Sequence, residues 1–325
     1  MKKWMKTIAA TLALTMAMTG CGGGSDASAD DAAGKYTVGI VQQLEHPALD
    51  AATLGFQEKL TELLDGNVTF DYQNAQGEQT NCTTIATKFV SDGVDLIMAN
   101  ATTALQSAAA ATADIPIVGT SVTDYVTAGV VDSNEAPGRN VTGASDLAPI
   151  DEQIAMLTEL VPDAQKVGIV YCSAEPNSLY QSKLAQAELD KAGIAWAEYT
   201  AADSNEVQSV VTKAVGECDV LYVPTDNTMA NNTEIIKNVA VPAGVPVIAG
   251  EEGICSGCGV ATLSISYYDL GVKAAEMAYE ILVNGANPAE MPIEYVSEGI
   301  TEKYNAEIAE TLKIVIPEGM VAIGE

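Results

Sequence analysis

The chain has 325 residues, enough for two lobes of ordinary domain size, and 48% of them are hydrophobic. It carries 44 acidic against 15 basic residues, which gives a formal net charge of −29. Such an acidic surface repels the phosphates of nucleic acids and anionic lipid headgroups, which argues against nucleic-acid binding and against polybasic membrane binding. The simplest role of the charge is to keep the protein soluble.

Two residue types are scarce. His46 is the only histidine and Arg139 the only arginine. A histidine-based metal site or a Ser-His triad therefore has at most one candidate, and a clamp of several arginines is impossible. Helix N-termini, hydroxyls, amides or lysines must meet any anionic group of a ligand.

Residues 1–21 have the form of a secretory signal. A basic start with three lysines precedes the apolar run Ile8–Met18, and the segment ends in Gly20 and Cys21. This ending resembles the bacterial lipoprotein signal, in which the cysteine is lipid-modified and becomes the N-terminus, although Met18 stands where leucine is usual. The alternative is an ordinary cleaved signal with an incidental cysteine. Residues 22–35 follow as a flexible tether.

The chain then alternates between predicted strands and helices, as α/β proteins do. In its first half the sequence predicts strands at Tyr36–Gln42, Val68–Tyr72, Val94–Ala99, Ile115–Gly119 and Val141–Gly143. Helices are predicted after Pro47, over Glu78–Val90, and in the Ala-rich segment after Thr103. The apolar positions of the first helix recur at helical spacing and are expected to cover the sheet.

The organising stretch Val94–Asp124 recurs in Cys218–Ile254. Each reads as a buried strand, a polar turn, a helix and a second strand, and upstream Val38–Val41 has its counterpart in Val167–Val170. These landmarks recur in the same order at similar spacing, which predicts two similar lobes with parallel sheets. The polar residues at the carboxyl ends of such strands face a crevice where ligands bind.

The second half continues the pattern. A helix ends at Pro162, and strands are predicted at Lys166–Tyr171, Ile194–Thr200, Asp219–Val223, Val245–Ala249 and Gly259–Ser264. Further helices are predicted at Asn177–Lys191, Asn205–Val215, about Met229–Ala240 and Tyr267–Leu282, followed by tail elements at Ile293–Val296 and Lys303–Leu312.

As a set, seven segments resemble the extracellular substrate-binding proteins of ABC transporters in the tryptophan/tyrosine-type family. They are Val38–Phe56, Asp71–Gly77, Val90–Thr102, Ile115–Asp124, Asn140–Asp146, Tyr222–Asn227 and Ile316–Met320. The resemblance runs from about Tyr36 to the end of the chain.

This resemblance implies a type I periplasmic-binding-protein fold, in which two Rossmann-like lobes joined by three crossovers close on one small molecule. We expect residues 36–144 and about 265–291 to form the first lobe, and residues 145–264 and about 292–325 the second. The resemblance implies a monomer that uses no cofactor and passes its ligand to an ABC permease. Several members of the family bind aromatic amino acids, and others have unknown ligands.

A zwitterionic amino acid needs donors for its carboxylate. Thr102 and Thr103 begin the helix after the third strand, and Asn177 and Ser178 occupy the corresponding place in the second lobe. Free backbone amides and the helix dipole favour a carboxylate at such positions. The alternative is that these side chains only cap their own helices, and both can hold at once.

The ammonium group needs an acidic acceptor. Asp146, Asp226 and Glu251 each lie at or just after a predicted strand end. Asp226, flanked by Thr225 and Asn227, is the strongest candidate because it aligns with the polar turn of the first lobe. With 44 acidic residues in the chain, simple solvation is the alternative for each.

Other side chains could complete the site. Glu45 and His46 lie on the loop after the first strand, at the expected rim of the cleft, although a lone histidine is more often structural. Thr120, Ser121 and Thr123 could add hydroxyl contacts. The candidates for an aromatic wall are Tyr125, Tyr171, Tyr267 and Tyr268, and Trp196 is expected to pack in the second lobe.

Five cysteines follow Cys21, namely Cys82, Cys172, Cys218, Cys255 and Cys258. The last two have the spacing of a thiol-redox or metal half-site. A redox motif should open a helix after a strand, but this one leads into a strand, and no second pair completes a zinc site. We expect a local disulfide or two free thiols, and no metal.

Together these features predict a lipid-anchored, extracytoplasmic solute-binding protein with no catalytic residues. The expected ligand is small and amino-acid-like, an aromatic amino acid first. A ligand sensor for a receptor, or a binder of a nucleoside or a sugar, is the alternative. An enzyme on the same scaffold is disfavoured because the sequence lacks a phosphate-binding glycine loop or a cofactor motif.

Overall fold

The repeat in the sequence corresponds to two separate sheets in the computed structural model, which describes residues 36–296 and 300–324. The predicted signal, the tether and Cys21 lie outside the described residues. Helices cover both sheets, so the predicted two-lobed α/β class is confirmed. None of the helices within the described ranges has both the length and the apolar character required to span a membrane.

The first lobe contains a six-stranded parallel sheet. Its strands are β1 (Tyr36–Gln42), β2 (Val68–Asn74), β3 (Leu96–Asn100), β4 (Ile117–Val122), β5 (Val141–Ser145) and β11 (Glu294–Tyr295), in the order β11-β5-β4-β3-β1-β2. One face is covered by α2 (Gln79–Asp92) and α3 (Thr102–Ala111), and the other by α1 (Pro47–Leu63) and α10 (Tyr267–Asn284). Since both faces are covered, β3 and β4 are buried along their whole length.

The second lobe contains a seven-stranded sheet. Its strands are β6 (Lys166–Cys172), β7 (Ala195–Ala201), β8 (Val220–Val223), β9 (Val247–Ala249), β10 (Ala261–Ser264), β12 (Thr301–Tyr304) and β13 (Val321–Ala322), in the order β13-β12-β10-β9-β8-β6-β7. Its helices are α4 (Ile150–Leu160), α5 (Pro176–Ala192), α6 (Val207–Val215), α7 (Asn227–Ala230), α8 (Thr233–Ala243), α9 (Glu252–Cys258) and α11 (Ala306–Leu312). Only β12 runs antiparallel to its neighbour β10 among the described strand pairs.

The chain crosses between the two lobes three times. It leaves the first sheet after β5 and enters α4, which packs in the core of the second lobe. It returns after β10 into α10, and it crosses last between β11 and β12. The crossings leave from one side of each sheet, so the opposite side, where β2 and β7 lie, is free to open.

Several boundaries differ from the sequence prediction. The short strand Glu294–Tyr295 pairs with β5 of the first sheet, although the predicted division near residue 292 places it in the second lobe. The helix predicted over Met229–Ala240 is two helices, α7 and α8, separated at Asn231 and Asn232. Secondary-structure propensity alone does not indicate either feature. The break between α7 and α8 depends on local hydrogen bonding, and the place of the short strand depends on pairing with β5.

The two closely spaced cysteines, Cys255 and Cys258, lie within the short helix α9 and not in a loop before a strand. Both are buried, and all five cysteines within the described ranges are free, so the alternative of two free thiols holds. Within those same ranges, no group of three or more histidine, cysteine, aspartate or glutamate side chains could hold a metal ion.

Helices α1 and α10 cross at very short range. A Cβ atom added to Gly55 would lie 2.2 Å from the carbonyl oxygen of Tyr268, and one added to Gly271 would lie 2.0 Å from that of Ala52. Carbon atoms do not approach carbonyl oxygens so closely. Both positions therefore require glycine for the two backbones to touch, and this contact fixes α10 against α1.

We expect Gly271→Ala to lower the free energy of unfolding by about 1–3 kcal/mol, because the added methyl group must push the two helices apart. Urea denaturation measures the change. Gly216→Ala is the control, because its Cβ would lie 3.5 Å from the nearest atom, an ordinary van der Waals contact. Equal losses of stability in the two variants would contradict the close crossing.

Candidate ligand-binding cleft

The two lobes meet at the carboxyl ends of their strands, around a small cavity of about 10 Å³. Its lining comes from the first lobe, from the second lobe and from the crossings between them. The lining residues are His46, Leu49, Ser121, Asp146, Asn177, Thr225, Asp226, Asn227, Ala230, Glu251 and Tyr267. The cavity lies where ligands bind in α/β sheets, beyond the strand ends.

Seven of the predicted ligand-binding residues line this cavity: Ser121, Asp146, Asn177, Thr225, Asp226, Asn227 and Glu251. Thr123 and Ser178 lie behind it, buried, and hydrogen-bond to the carboxyl groups of Asp146 and Asp226. Thr102 is buried in an adjoining pocket beside Asn177. Thr103 and Glu45 line the outer part of the cleft instead.

Asp226 is 1% exposed and is bonded on both carboxyl oxygens. Its Oδ1 accepts from the backbone N–H of Met229 at 2.8 Å, which caps α7, and its Oδ2 accepts from that of Cys172 at 2.6 Å. Burial, and then the nearby charge of Glu175, raise the pKa of Asp226 to about 8. The capping role and a place in the cavity therefore coexist in one side chain.

Glu251 has a similar arrangement at the start of α9. Its carboxyl oxygens accept from the backbone N–H groups of Gly253 and Ile254, both at 2.5 Å. Burial raises the pKa of this carboxyl to about 7. Burial thus opposes ionisation, and the two backbone donors only partly offset it.

Asp146 follows β5 at the first crossing between the lobes. It accepts hydrogen bonds from the hydroxyl of Thr123 at 3.0 Å and from that of Tyr267 at 2.9 Å. Burial raises its pKa above the ordinary range of an aspartate. Its two side-chain donors are hydroxyls, which can rotate if a stronger donor enters the cavity.

No lysine or arginine is among the residues that line the cavity. Arg139 pairs with Asp132 on the surface of the first lobe, at 3.2 Å. Burial lowers the pKa of His46, so its imidazole is uncharged at neutral pH. Three carboxyl groups therefore face a cavity to which the described part of the chain brings no cation.

Several buried polar atoms without a hydrogen-bond partner in the described chain belong to residues at this cavity. They include Nδ1 of His46, Oγ of Ser121 and Oδ1 of Asn177, which line it, and Oγ1 of Thr102 in the adjoining pocket. Buried polar atoms in folded proteins are nearly always bonded, so a cluster of unbonded ones indicates where a polar ligand would bind.

Two residues at this edge of the first sheet have strained backbones. Ala101, which follows β3, has φ of 86°, and Ser121, near the end of β4, has φ of 56°. Positive φ is unfavourable for residues other than glycine, and such strain is often found at binding sites. In Ser121 the strained residue also carries one of the unbonded hydroxyls.

Within the described ranges, two direct side-chain hydrogen bonds join the lobes across the cleft. His46 Nε2 of the first lobe lies 3.1 Å from Asn227 Oδ1 of the second. Gln181 Nε2 of the second lobe donates to Thr123 Oγ1 of the first, also at 3.1 Å. Together they hold the two lobes in a closed arrangement.

Outside these contacts the cleft widens into a mouth of about 810 Å³ on the side away from the crossings. It is lined by amide, hydroxyl and acidic side chains, and its acids are Glu45, Glu78, Glu175 and Asp203. No basic side chain is part of that lining. A ligand therefore enters through a region of negative potential, which disfavours anionic solutes.

The tyrosines that were candidates for an aromatic wall lie in different parts of the structure. Tyr267 lines the cavity, whereas Tyr125 and Tyr171 are buried in the cores of the first and second lobes. Tyr268 is 38% exposed and lies outside the cavity. Trp196 packs against the core of the second lobe, as predicted.

The sequence prediction missed part of the site. Leu49 and Ala230 line the cavity, but apolar residues on helices carry no signal that separates a site from a core. Glu175 and Gln181, which support the site, were also missed. Glu175 directly precedes Pro176 at the start of α5, and this N-cap position is the signal that could have indicated it.

A polar cleft between two α/β lobes that are hydrogen-bonded to each other across it is the arrangement of a protein that closes on a small solute. Residues 37–324 match the family described as ABC transporter substrate binding protein. The chain belongs to this family, which confirms the resemblance found in the sequence. It is a binding protein and not an enzyme.

Individual relatives agree with this assignment. The chain is 40% identical over 306 residues to a tyrosine-binding protein from Clostridioides difficile (strain R20291), covering 91% of this chain and 88% of that protein. A solved structure from Streptococcus pneumonia, in complex with L-Trp, is 32% identical with a TM-score of 0.85, covering 89% of this chain and 100% of that chain. The type I periplasmic-binding-protein fold is thereby confirmed.

A second solved structure helps to define the conformation. It is the ligand-free, open structure of a substrate-binding protein with adhesive properties from Clostridium difficile, 38% identical, with 89% of this chain and 99% of that chain covered. Its TM-score is 0.68, lower than that of the L-Trp complex despite the higher identity. This difference agrees with the closed arrangement that the cross-lobe hydrogen bonds define.

Asp226 should make stability depend on pH. Because its pKa is about 8 in the fold and near the ordinary value of 3.8 when unfolded, the folded state holds the extra proton between about pH 4 and pH 8. Stability therefore falls as pH rises through this window, by at most about 1.4 kcal/mol per pH unit from this one group. We expect Asp226→Asn to flatten the slope measured by urea denaturation from pH 5 to pH 8.

Asp132→Asn removes a solvent-exposed carboxylate and serves as the control, with a slope like that of the wild type. If the slope of Asp226→Asn matched that of this control, Asp226 would not titrate in this window.

Proposed function

We propose that the protein captures an aromatic amino acid, L-tryptophan or L-tyrosine first, outside the cytoplasmic membrane and delivers it to an ABC permease. Closure of the two lobes around the ligand is the only event the protein performs. The observation that carries this proposal is the set of three buried carboxyl groups around a cavity whose lining has no lysine or arginine.

An ammonium group is the ligand feature that these carboxyl groups fit best. Asp146, Asp226 and Glu251 are each at most 3% exposed, and burial raises the pKa of all three. A buried carboxylate without a cation is costly, and a bound ammonium group would supply both the charge and up to three hydrogen bonds. A neutral sugar supplies hydrogen bonds without the charge.

The start of α3 fits the ligand carboxylate. The first N–H groups of a helix have no partner within the helix, and its dipole favours an anion there. Beside these amides lie the unbonded hydroxyls of Thr102 and Ser121. Two hydroxyls and free backbone amides in the first lobe, with the carboxyl groups of Asp226 and Glu251 in the second, match the two charges of a zwitterion.

The aromatic character of the ligand is supported by the relatives. One is named a tyrosine-binding protein, and another was solved with L-Trp. In this chain, Tyr267 and Leu49 give the cavity an aromatic and an aliphatic surface. An apolar side chain on the ligand would pack against both.

The ligand can be tested by thermal denaturation in the presence of candidate solutes. We expect L-tryptophan or L-tyrosine to raise the melting temperature, with a stabilisation of about 2.7 kcal/mol at a concentration one hundred times Kd. Tryptamine and tyramine, which lack the carboxylate, should give much smaller shifts. Stabilisation by a sugar or a nucleoside, with no shift from any amino acid, would overturn the assignment.

A matched pair of variants sharpens this test. Asp146→Asn should raise Kd for the amino acid about 10- to 100-fold, because it removes a charged acceptor of the ammonium group. Asp132→Asn makes the same change on the surface and should bind like the wild type.

We also propose that Cys21 carries the lipid that holds the protein at the membrane. Its support is the sequence alone, namely the basic start, the apolar run Ile8–Met18 and the Gly20-Cys21 ending. A two-lobed binding protein tethered near its permease encounters it at high effective concentration, and residues 22–35 are long enough to act as that tether.

Cys21→Ala should move the protein from the membrane fraction to the soluble fraction and abolish its metabolic labelling with a fatty acid. Cys218→Ala, which changes a cysteine of the folded region, should leave both unchanged. Retention of label in Cys21→Ala would place the lipid elsewhere or exclude it.

A further inference from the structure

We propose that His46 determines specificity for the ligand's ammonium group: its Nδ1 accepts a hydrogen bond from that group, while its Nε2–H bonds Asn227 across the cleft. This inference rests on the proposed amino-acid function and adds to it a residue that recognises the ligand and also joins the lobes. The orientation of both side chains is set by Glu175, which is hydrogen-bonded directly to Asn227.

Glu175 is 3% exposed and acts only as an acceptor. Its Oε1 accepts from the backbone N–H and the hydroxyl of Thr228, at 2.8 and 2.7 Å. Its Oε2 accepts from the backbone N–H of Asn227 at 3.1 Å, from Asn227 Nδ2 at 2.7 Å and from Asn177 Nδ2 at 3.3 Å. Five donors thus occupy the two oxygens of this carboxyl group, which acts as the acceptor in every one of these bonds.

This acceptor fixes the side-chain amide of Asn227. If the amide were turned over, its oxygen would lie 2.7 Å from the Glu175 oxygen, with no hydrogen atom between them. The NH₂ group of Asn227 therefore faces Glu175, and its Oδ1 faces His46. The orientation follows from the hydrogen-bond network alone.

The amide in turn fixes the tautomer of His46. Asn227 Oδ1 can only accept, and it lies 3.1 Å from His46 Nε2, so Nε2 must carry the proton. In the uncharged imidazole, Nδ1 is then a bare acceptor. Burial lowers the pKa of His46, which supports the uncharged form.

This free acceptor belongs to a residue that lines the ligand cavity. His46 is 7% exposed and lines the cavity, and its Nδ1 has no hydrogen-bond partner in the described part of the chain. It shares this lining with Asp146, Asp226 and Glu251, the acceptors assigned to the ammonium group. A neutral nitrogen acceptor completes such a site without adding a fourth negative charge.

His46 is the only histidine in the chain, so its imidazole can be observed directly. The protein is prepared without a histidine tag and labelled with ¹⁵N-histidine, and its two ring nitrogens are followed by NMR at pH 7.5. We expect the Nε2–H tautomer, and a shift of the Nδ1 resonance when L-tyrosine or L-tryptophan saturates the protein. An Nδ1–H tautomer, or an Nδ1 resonance that ligand leaves unchanged, would overturn the proposal.

Two variants separate ligand recognition from the bond between the lobes. His46→Gln places an amide near Nε2, where it can still bond Asn227, and removes the acceptor at Nδ1. His46→Asn places an amide oxygen near Nδ1 and loses contact with Asn227. We expect His46→Gln to raise Kd for L-tyrosine about 10- to 100-fold and to bind more weakly than His46→Asn.

The opposite order, with His46→Gln near the wild type and His46→Asn weak, would show that His46 only joins the lobes. L-phenylalanine has no side-chain donor, so it should show the same loss in His46→Gln as L-tyrosine. A loss confined to L-tyrosine would overturn the assignment to the ammonium group. Melting temperatures without ligand check that both variants fold.

The proposed function and this inference fail in different ways. If the Nε2–H tautomer is present but the wild type binds no amino acid, the proposed function is wrong and the hydrogen-bond network stands. If the wild type binds L-tyrosine or L-tryptophan and Nδ1 does not respond, the function stands and His46 has no part in recognition.

Discussion

The structure depends on keeping three carboxyl groups buried between two lobes without a cation beside them. Backbone N–H groups at the starts of α7 and α9 hold Asp226 and Glu251, and hydroxyl groups hold Asp146. These donors lower the free-energy cost of burying the carboxyl groups but do not remove it, as the raised pKa values of all three show. In the protein alone, therefore, no positive charge offsets the three buried carboxyl groups. A ligand with a positively charged group would supply that charge.

The same donors explain why capping and binding are not competing roles here. A helix start at the carboxyl end of a parallel strand provides unpaired amides at the edge where the lobes face each other. Asp226 and Glu251 cap helices from the second lobe while facing the cavity. In the first lobe the start of α3 carries Thr102, whose hydroxyl remains unbonded. One local motif thus provides acidic acceptors on one side of the cleft and free donors on the other.

Strand periodicity and the internal repeat were sufficient to predict strands β1 to β10, because buried parallel strands are continuous apolar runs. They also located Asp226 and Glu251, since polar residues at strand ends must face the cleft. They could not locate Leu49 or Gln181, and they could not show that His46 pairs with Asn227 across the cleft. Those depend on how one lobe meets the other, which no local pattern encodes. The two-residue strand Glu294–Tyr295 was misassigned for a related reason, since its place is set only by pairing with β5.

The glycine contact between α1 and α10 has a consequence for evolution of the binding site. His46 immediately precedes α1, and Tyr267 is the first residue of α10, so the backbone contact at Gly55 and Gly271 sets the distance between two cavity residues. A substitution there would shift the imidazole relative to the phenol without altering any residue that a ligand touches. Divergence in substrate preference among homologues can therefore originate more than one helical turn away from the cavity itself.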